Sequence, residues 1–150
     1  MAVGSFLCSL RGMKRIVIRI ALVLVALLVV AQLVPVDRRN PPVTARAPAP
    51  PDVEAVLRRA CFDCHSNETV WPPQAYVAPF SWLVAHDVKE GREELNFSEW
   101  TPKGAQKASK KLAKEVAKGD MPPFVYVIAH PGAKLSAAEK ELLANWAKGL

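Results

Sequence analysis

Cys61-Phe62-Asp63-Cys64-His65 is the stretch whose reading decides the fold of this 150-residue chain. It has the C-x-x-C-H spacing of covalent haem attachment. Two thiols three positions apart share one helical turn, so each can add to one vinyl group of the same porphyrin. The imidazole that follows is then carried under the iron as its proximal ligand. Without His65 the same pair of thiols would read as a redox dithiol or as half of a zinc site. Fifty-six residues on (121 − 65) stands Met121, followed by Pro122 and Pro123. A thioether there, on a loop stiffened by fixed φ angles, is suited to close the other face of the iron.

The charge pattern points outward from this motif. The formal net charge is +6, but Arg11, Lys14, Arg15 and Arg19 supply four of those charges before residue 20. From Val36 onward 16 Lys and Arg stand against 14 Asp and Glu, a net of +2. Such a balance argues against nucleic acid as a partner. Cys8, Cys61 and Cys64 are the only cysteines, which excludes a disulfide framework.

Residues 16–34 are apolar apart from Arg19 and Gln32. As one helix they would reach roughly 28 Å, which predicts a single transmembrane segment. The basic residues before it put residues 1–15 in the cytoplasm and the remainder outside. Val29-Val30-Ala31 offers the alternative of a cleaved signal peptide and a soluble periplasmic product. Met13-Lys14-Arg15 also reads as a natural start, which makes residues 1–12, with Cys8, a start-site artefact; the intact mass checks this. Residues 35–51 hold six prolines and read as an extended tether that lets the domain sample partners.

Residues 52–150 carry a helical pattern. Asp52 is a plausible N-cap for a helix burying Val53, Val56, Leu57 and Ala60, which runs into Cys61. A second helix is expected from Pro79 to about Glu94, and a third from Lys103 to Lys118, stopped by Gly119. Ser136-x-x-Glu139 is a capping box that opens a last helix presenting Leu142, Leu143 and Trp146. No alternating strand pattern of useful length occurs, so the domain reads as all-α. The first and last of these helices are suited to pack on each other behind the haem.

These strings bring a family into view. Cys61-Phe62-Asp63-Cys64-His65-Ser66-Asn67-x-Thr69-x-Trp71-Pro72, Ala78-Pro79-x-Ser81-Trp82, Glu90-Gly91-Arg92, Leu95-Asn96-Phe97-Ser98-x-Trp100, Gly119-x-Met121-Pro122-Pro123 and His130-Pro131 together resemble the cytochrome c-like haem-binding domain family over residues 52–147. The resemblance implies one covalent haem c and a place outside the cytoplasm. It implies little about the physiological partner.

The expected site is thus Cys61 and Cys64 as thioethers, His65 as proximal ligand and Met121 as distal ligand. His86, one turn beyond Trp82, is the alternative distal ligand, and His130 is a loop residue. Trp71, Trp82, Trp100 and Trp146 read as core, with an indole N–H available to a haem propionate. Lys107, Lys110, Lys111 and Lys114 lie on one helix face before Met121, a surface for an acidic redox partner. The expected function is single-electron transfer by a c-type cytochrome domain at the bacterial inner membrane, facing the periplasm. A gas or redox sensor, or a peroxidase-like enzyme with an open distal site, is the alternative, and the sequence favours the carrier over the enzyme.

Overall fold

The computed structural model describes residues 2–150, with side chains from Gly12 onward, so Cys8 lies outside the described side chains. Eight α-helices follow in order: α1 Ala2–Ala31, α2 Pro51–Ala60, α3 Phe62–His65, α4 Phe80–Glu94, α5 Pro102–Lys107, α6 Ala113–Lys118, α7 Phe124–Ala129 and α8 Ala137–Lys148. A π-helical turn, Ala108–Leu112, joins α5 to α6, and short 3₁₀ turns stand at Pro73–Tyr76 and Pro131–Ala133. Among the described residues there is no strand, only an isolated bridge between Ala45 and Glu99. The chain is all-α.

The helix ends follow their local chemistry. Pro50, not Asp52, caps α2, and the Asp52 carboxylate accepts its neighbour Val53 N–H at 2.9 Å. Thr101 caps α5 by accepting Gly104 N–H at 3.0 Å. Gly119 ends α6 at φ 84°, a left-handed conformation that favours glycine. Ser136 and Glu139 form the expected capping box of α8. Helix α7 has no counterpart in the sequence reading; six residues leave too short a stripe to be seen.

One core unites the two ends of the domain. Val53, Val56, Leu57 and Ala60 of α2 pack with Leu143 of α8, and Leu142 and Trp146 close over them. Phe97 stacks on Phe62 at 5.6 Å and on Trp100 at 6.1 Å, so the residues flanking α3 reach the same core.

Two expectations need correction. Helix α1 stops at Ala31, and Gln32 to Val34 turn away from it. After Arg19 only 12 residues of helix remain (Ile20 to Ala31), roughly 18 Å against a hydrocarbon thickness of about 30 Å. Among the described residues no helix is long and apolar enough to cross a membrane, so the predicted span over 16–34 is not met. The proline-rich residues 35–51, in turn, do not hang free. Gln32 exchanges two bonds with the backbone of Ala78, donating at 3.4 Å and accepting at 3.0 Å. Arg38 donates to Ala75 O at 3.1 Å, and Thr44, Ala45 and Ala47 donate to the carbonyls of Ser98 and Phe97 at 3.0–3.1 Å. Prolines keep the segment extended, and its intervening N–H groups bind it to the domain as a strap. Ala47 and Ala49 pack on the core from outside.

Two surface carboxylates tie distant segments together. Glu68 accepts from Arg46 of the strap at 2.7 Å and from Arg58 of α2 at 3.4 Å. Glu139 takes the Ser136 backbone N–H at 2.8 Å and the Arg59 guanidinium. The Arg46 bond first, and the Ser136 backbone bond first, hold the Glu68 and Glu139 carboxyls below the ordinary 4.5. A carboxyl depressed on folding stabilises the fold above its ordinary pKa and ceases to do so as pH falls through its folded value. The thermal midpoint is therefore expected to hold from pH 7 to about pH 5 and to fall in more acid buffer. Glu139→Gln should shrink that acid drop; an equal drop in parent and variant would contradict the assignment.

Candidate functional site

The site is built on α3, a single turn that presents the motif. Cys61 is its N-cap and Cys64 and His65 its last residues, so thiols and imidazole leave one turn together. Cys61 N–H still donates to Leu57 O at 2.8 Å, which hangs the motif directly on α2. The rigid core behind α2 thereby fixes the start of the site.

Helix α4 supplies the support on the other side. His65 Nδ1 lies 2.8 Å from Gly91 O, which also accepts the Leu95 N–H at 2.9 Å, and 3.0 Å from Leu95 O, both at the carboxyl end of α4. Carbonyls can only accept, so Nδ1 carries the proton and Nε2 keeps its lone pair. This is the outer hydrogen bond that orients a metal-binding histidine and selects its tautomer. Burial holds the imidazole below its ordinary pKa of 6.5, in the neutral form that can ligate. The close approach depends on Gly91. A Cβ there would overlap the Cys64 carbonyl oxygen and stand 2.9 Å from its carbonyl carbon.

The loop after the motif is held by a polar network. Arg92 donates to Ser66 O at 2.8 Å, to Thr69 Oγ1 at 3.0 Å, to Asn40 Oδ1 at 2.8 Å and to Arg39 O at 3.0 Å. Asn67 donates to Pro42 O at 3.0 Å and accepts from Asn96 at 2.9 Å. Ser66, Asn67, Thr69 and Ser98 are buried polar groups satisfied in this way. Several residues of the quoted family strings thus brace the loop that follows His65.

Asp63, inside the motif, is a residue the sequence reading passed over. One carboxylate oxygen accepts Val70 N–H at 3.0 Å and the other accepts Tyr126 O–H at 2.7 Å. It therefore pins both the loop after the motif and helix α7. Burial first, then the Asp63 bond, push the Tyr126 hydroxyl above its usual range, so it stays a donor. Nothing in an isolated sequence marks an Asp between two cysteines as a latch.

The thiols do not resemble a reactive redox pair. Burial pushes Cys61 up to about 12, with the neighbouring Cys64 adding to the rise. Burial likewise raises Cys64 to about 11, aided by Asp87 and Asp63. Reactive C-x-x-C thiols are shifted the other way. A zinc site lacks support too: among the described residues no cluster of three or more ligating side chains occurs.

Met121 stands on the loop between α6 and α7, with its N–H donated to Glu115 O at 3.3 Å. Its side chain is 40% exposed, and Phe124, Val125 and Ile128 beyond it are more exposed still. Val70, Val77, Phe80 and Leu83, on the loop and helix that follow the motif, are also uncovered. Two apolar banks on elements tied to α3 are what a large apolar disc needs, and few domains of this size leave so much uncovered. The residues present fit a haem: two neutral thiols, an oriented imidazole and apolar surface. His86 is exposed, on the flank of α4 away from Gly91. His130 stacks on Tyr126 at 4.3 Å and donates its Nδ1–H to Tyr126 O, 3.2 Å away. Trp100 and Trp146 join the core, whereas the buried Trp71 indole N–H has no partner among the described residues.

Fold and site together define a small all-α domain organised around a thiol–thiol–imidazole turn. The chain belongs to the haem-binding domain family, whose model matches residues 26–149. The match begins within α1 and includes the strap. No curated protein and no solved structure matches the chain.

Proposed function

We propose that this chain is a c-type cytochrome domain that carries single electrons outside the cytoplasm. Cys61 and Cys64 hold one haem through thioethers, and His65 and Met121 are its axial pair. The observation that carries this reading is the orientation of His65, whose Nδ1–H is given to Gly91 O and Leu95 O so that Nε2 is left to ligate. Bound there, haem supplies a one-electron Fe(II)/Fe(III) couple, and a thioether ligand poises it at raised potential. The chain's own work is to keep the imidazole neutral and aimed, to hold the Met121 loop through Tyr126 and Asp63, and to cover the apolar ring. With His65 and Met121 both committed to the group, these residues would leave no place for a substrate, and electron transfer would be the chemistry available.

Localisation in the bacterial periplasm is part of the proposal. Lys14, Arg15 and Arg19 ahead of an apolar, exposed run support targeting of the chain to the inner membrane for export. The test is the absorption spectrum of the protein exported from cells with a c-type maturation system, oxidised, reduced and with CO. A low-spin spectrum that ignores CO is expected. A high-spin protein that takes CO at once would instead favour the sensor or enzyme reading.

Docking of an acidic redox protein is proposed at the lysine face. Lys107 and Lys111 share Glu94 at 3.5 and 3.3 Å, which tempers their charge. Lys110 and Lys114 have no ion pair among the described residues and are the stronger steering charges. Oxidation of the reduced protein by ferricyanide, an anion, should slow as salt rises. The double variant Lys110→Glu, Lys114→Glu should be slower by roughly tenfold at low salt and less salt-dependent. Equal rates in parent and variant would remove this face from the account.

A further inference from the structure

The short span 95–97 that follows α4 holds His65 from two sides. Leu95 leaves the helix in an extended conformation, φ −156° and ψ 122°, which takes its carbonyl out of the helical ladder. That oxygen lies 3.0 Å from His65 Nδ1. Two residues on, the Phe97 N–H donates to the His65 backbone carbonyl at 2.8 Å. Ring and main chain of His65 therefore both depend on where this span sits.

The two acceptors of the Nδ1–H differ in what fixes them. Gly91 O also accepts the Leu95 N–H at 2.9 Å and is held within the last turn of α4. Leu95 O takes no donor but the imidazole among the described residues, and it lies beyond the helix. The adjustable part of the bond is thus the placing of Leu95 O.

Asn96 governs that placing. Its side-chain oxygen accepts the Ser98 N–H at 2.9 Å, which bends the chain just after Leu95. An N–H can only donate, so this bond also fixes which end of the amide is oxygen. The other end donates to Asn67 Oδ1 at 2.9 Å. Asn67, two residues beyond His65 and only 3% exposed, is itself held by its bonds to Pro42 O at 3.0 Å, Glu99 Oε1 at 2.8 Å and Ser98 Oγ at 3.0 Å. From outside, the strap donates Thr44 and Ala45 N–H to Ser98 O and Ala47 N–H to Phe97 O. Asn96 is the side chain that joins the bend to the loop of the motif.

We propose that Asn96 is a positioning residue for the iron couple: its side chain holds the bend that presents Leu95 O to His65, and so sets the donor strength of the imidazole. The inference rests on His65 as the proximal ligand. A firm bond from Nδ1–H raises the basicity of the ring and favours Fe(III). A loosened bend weakens that bond and favours Fe(II), so loss of the Asn96 side chain should raise the midpoint potential.

The test is redox titration of the haem-loaded parent, Asn96→Ala and Asn96→Ser, with the His65 Nδ1–H resonance followed in the reduced proteins. Asn96→Ala should move the equilibrium about tenfold toward the reduced form, and its Nδ1–H signal should move to the position of a weaker hydrogen bond. Serine keeps an oxygen for the Ser98 N–H but cannot reach Asn67, so its potential should fall between the other two. That variant keeps the test decisive if Asn96→Ala does not fold. Ser136→Ala, which removes the cap of α8 far along the chain, is the control: it should lower the melting midpoint and leave the potential where it was. Loaded Asn96 variants that melt earlier but keep the parent's potential and His65 signal would overturn the positioning role and leave the haem reading standing. A parent without haem, or with His65 off the iron, would overturn both.

Discussion

Met121→Ala should convert a protein that ignores CO into one that binds it fully in the reduced state. The oxidised variant should also lose the far-red sulfur-to-iron band. Gly119 in the left-handed region ends α6, so the chain leaves the helix at a defined place two residues before Met121. The Met121 N–H is tied to Glu115 O at 3.3 Å, and α7 beyond it is latched to Asp63 by Tyr126 at 2.7 Å. A soft, neutral side chain is thereby held on a loop fixed at both ends, which is what a weak sixth ligand requires. Because the side chain is 40% exposed, its loss should cost little stability. A large change at the iron with a small change in melting separates a ligand from a core methionine. A parent that already binds CO, or a variant that still does not, would remove Met121 from the axial pair.

Gly91→Ala is the second large effect. The added methyl would meet the carbonyl group of Cys64, which is backbone and cannot swing aside as a side chain can. Helices α3 and α4 must then separate, and the Gly91 and Leu95 carbonyls must withdraw from His65 Nδ1. Overpacking of this kind costs about 1–3 kcal/mol, with more expected because the motif itself is displaced. Urea unfolding of the haem-loaded protein reads the stability, and the fraction loaded reads the motif. Gly132→Ala is the control: nothing lies within 4 Å of its Cβ position, so a change within about 0.5 kcal/mol is expected. Equal stability of the Gly91 variant and the parent would contradict the close approach.

What could be read without coordinates divides along physical lines. The motif turn, the capping box at Ser136, the stop at Gly119 and the α2–α8 core are local patterns or long apolar stripes, and these are legible in a single sequence. Gly91 carried a fainter signal, since a glycine inside a 15-residue helix usually has a packing reason. The latch of Asp63 on Tyr126 joins residues 63 positions apart, and no local pattern encodes such a pair. The strap was misread as a tether because proline content reports extension but not where the remaining N–H groups find acceptors. The span over 16–34 was misread because hydropathy counts residues, whereas the helix ends at Ala31 and keeps Arg19 within it.

The measurement that bears most directly on the central claim is the mass of the denatured protein after export through a c-type maturation system, together with that of Cys61→Ala, Cys64→Ala. The account predicts that the parent carries the added mass of one haem, which resists acid and organic extraction, and that the double variant does not. A parent of haem-free mass, or a haem that extracts freely, would contradict covalent attachment at Cys61 and Cys64.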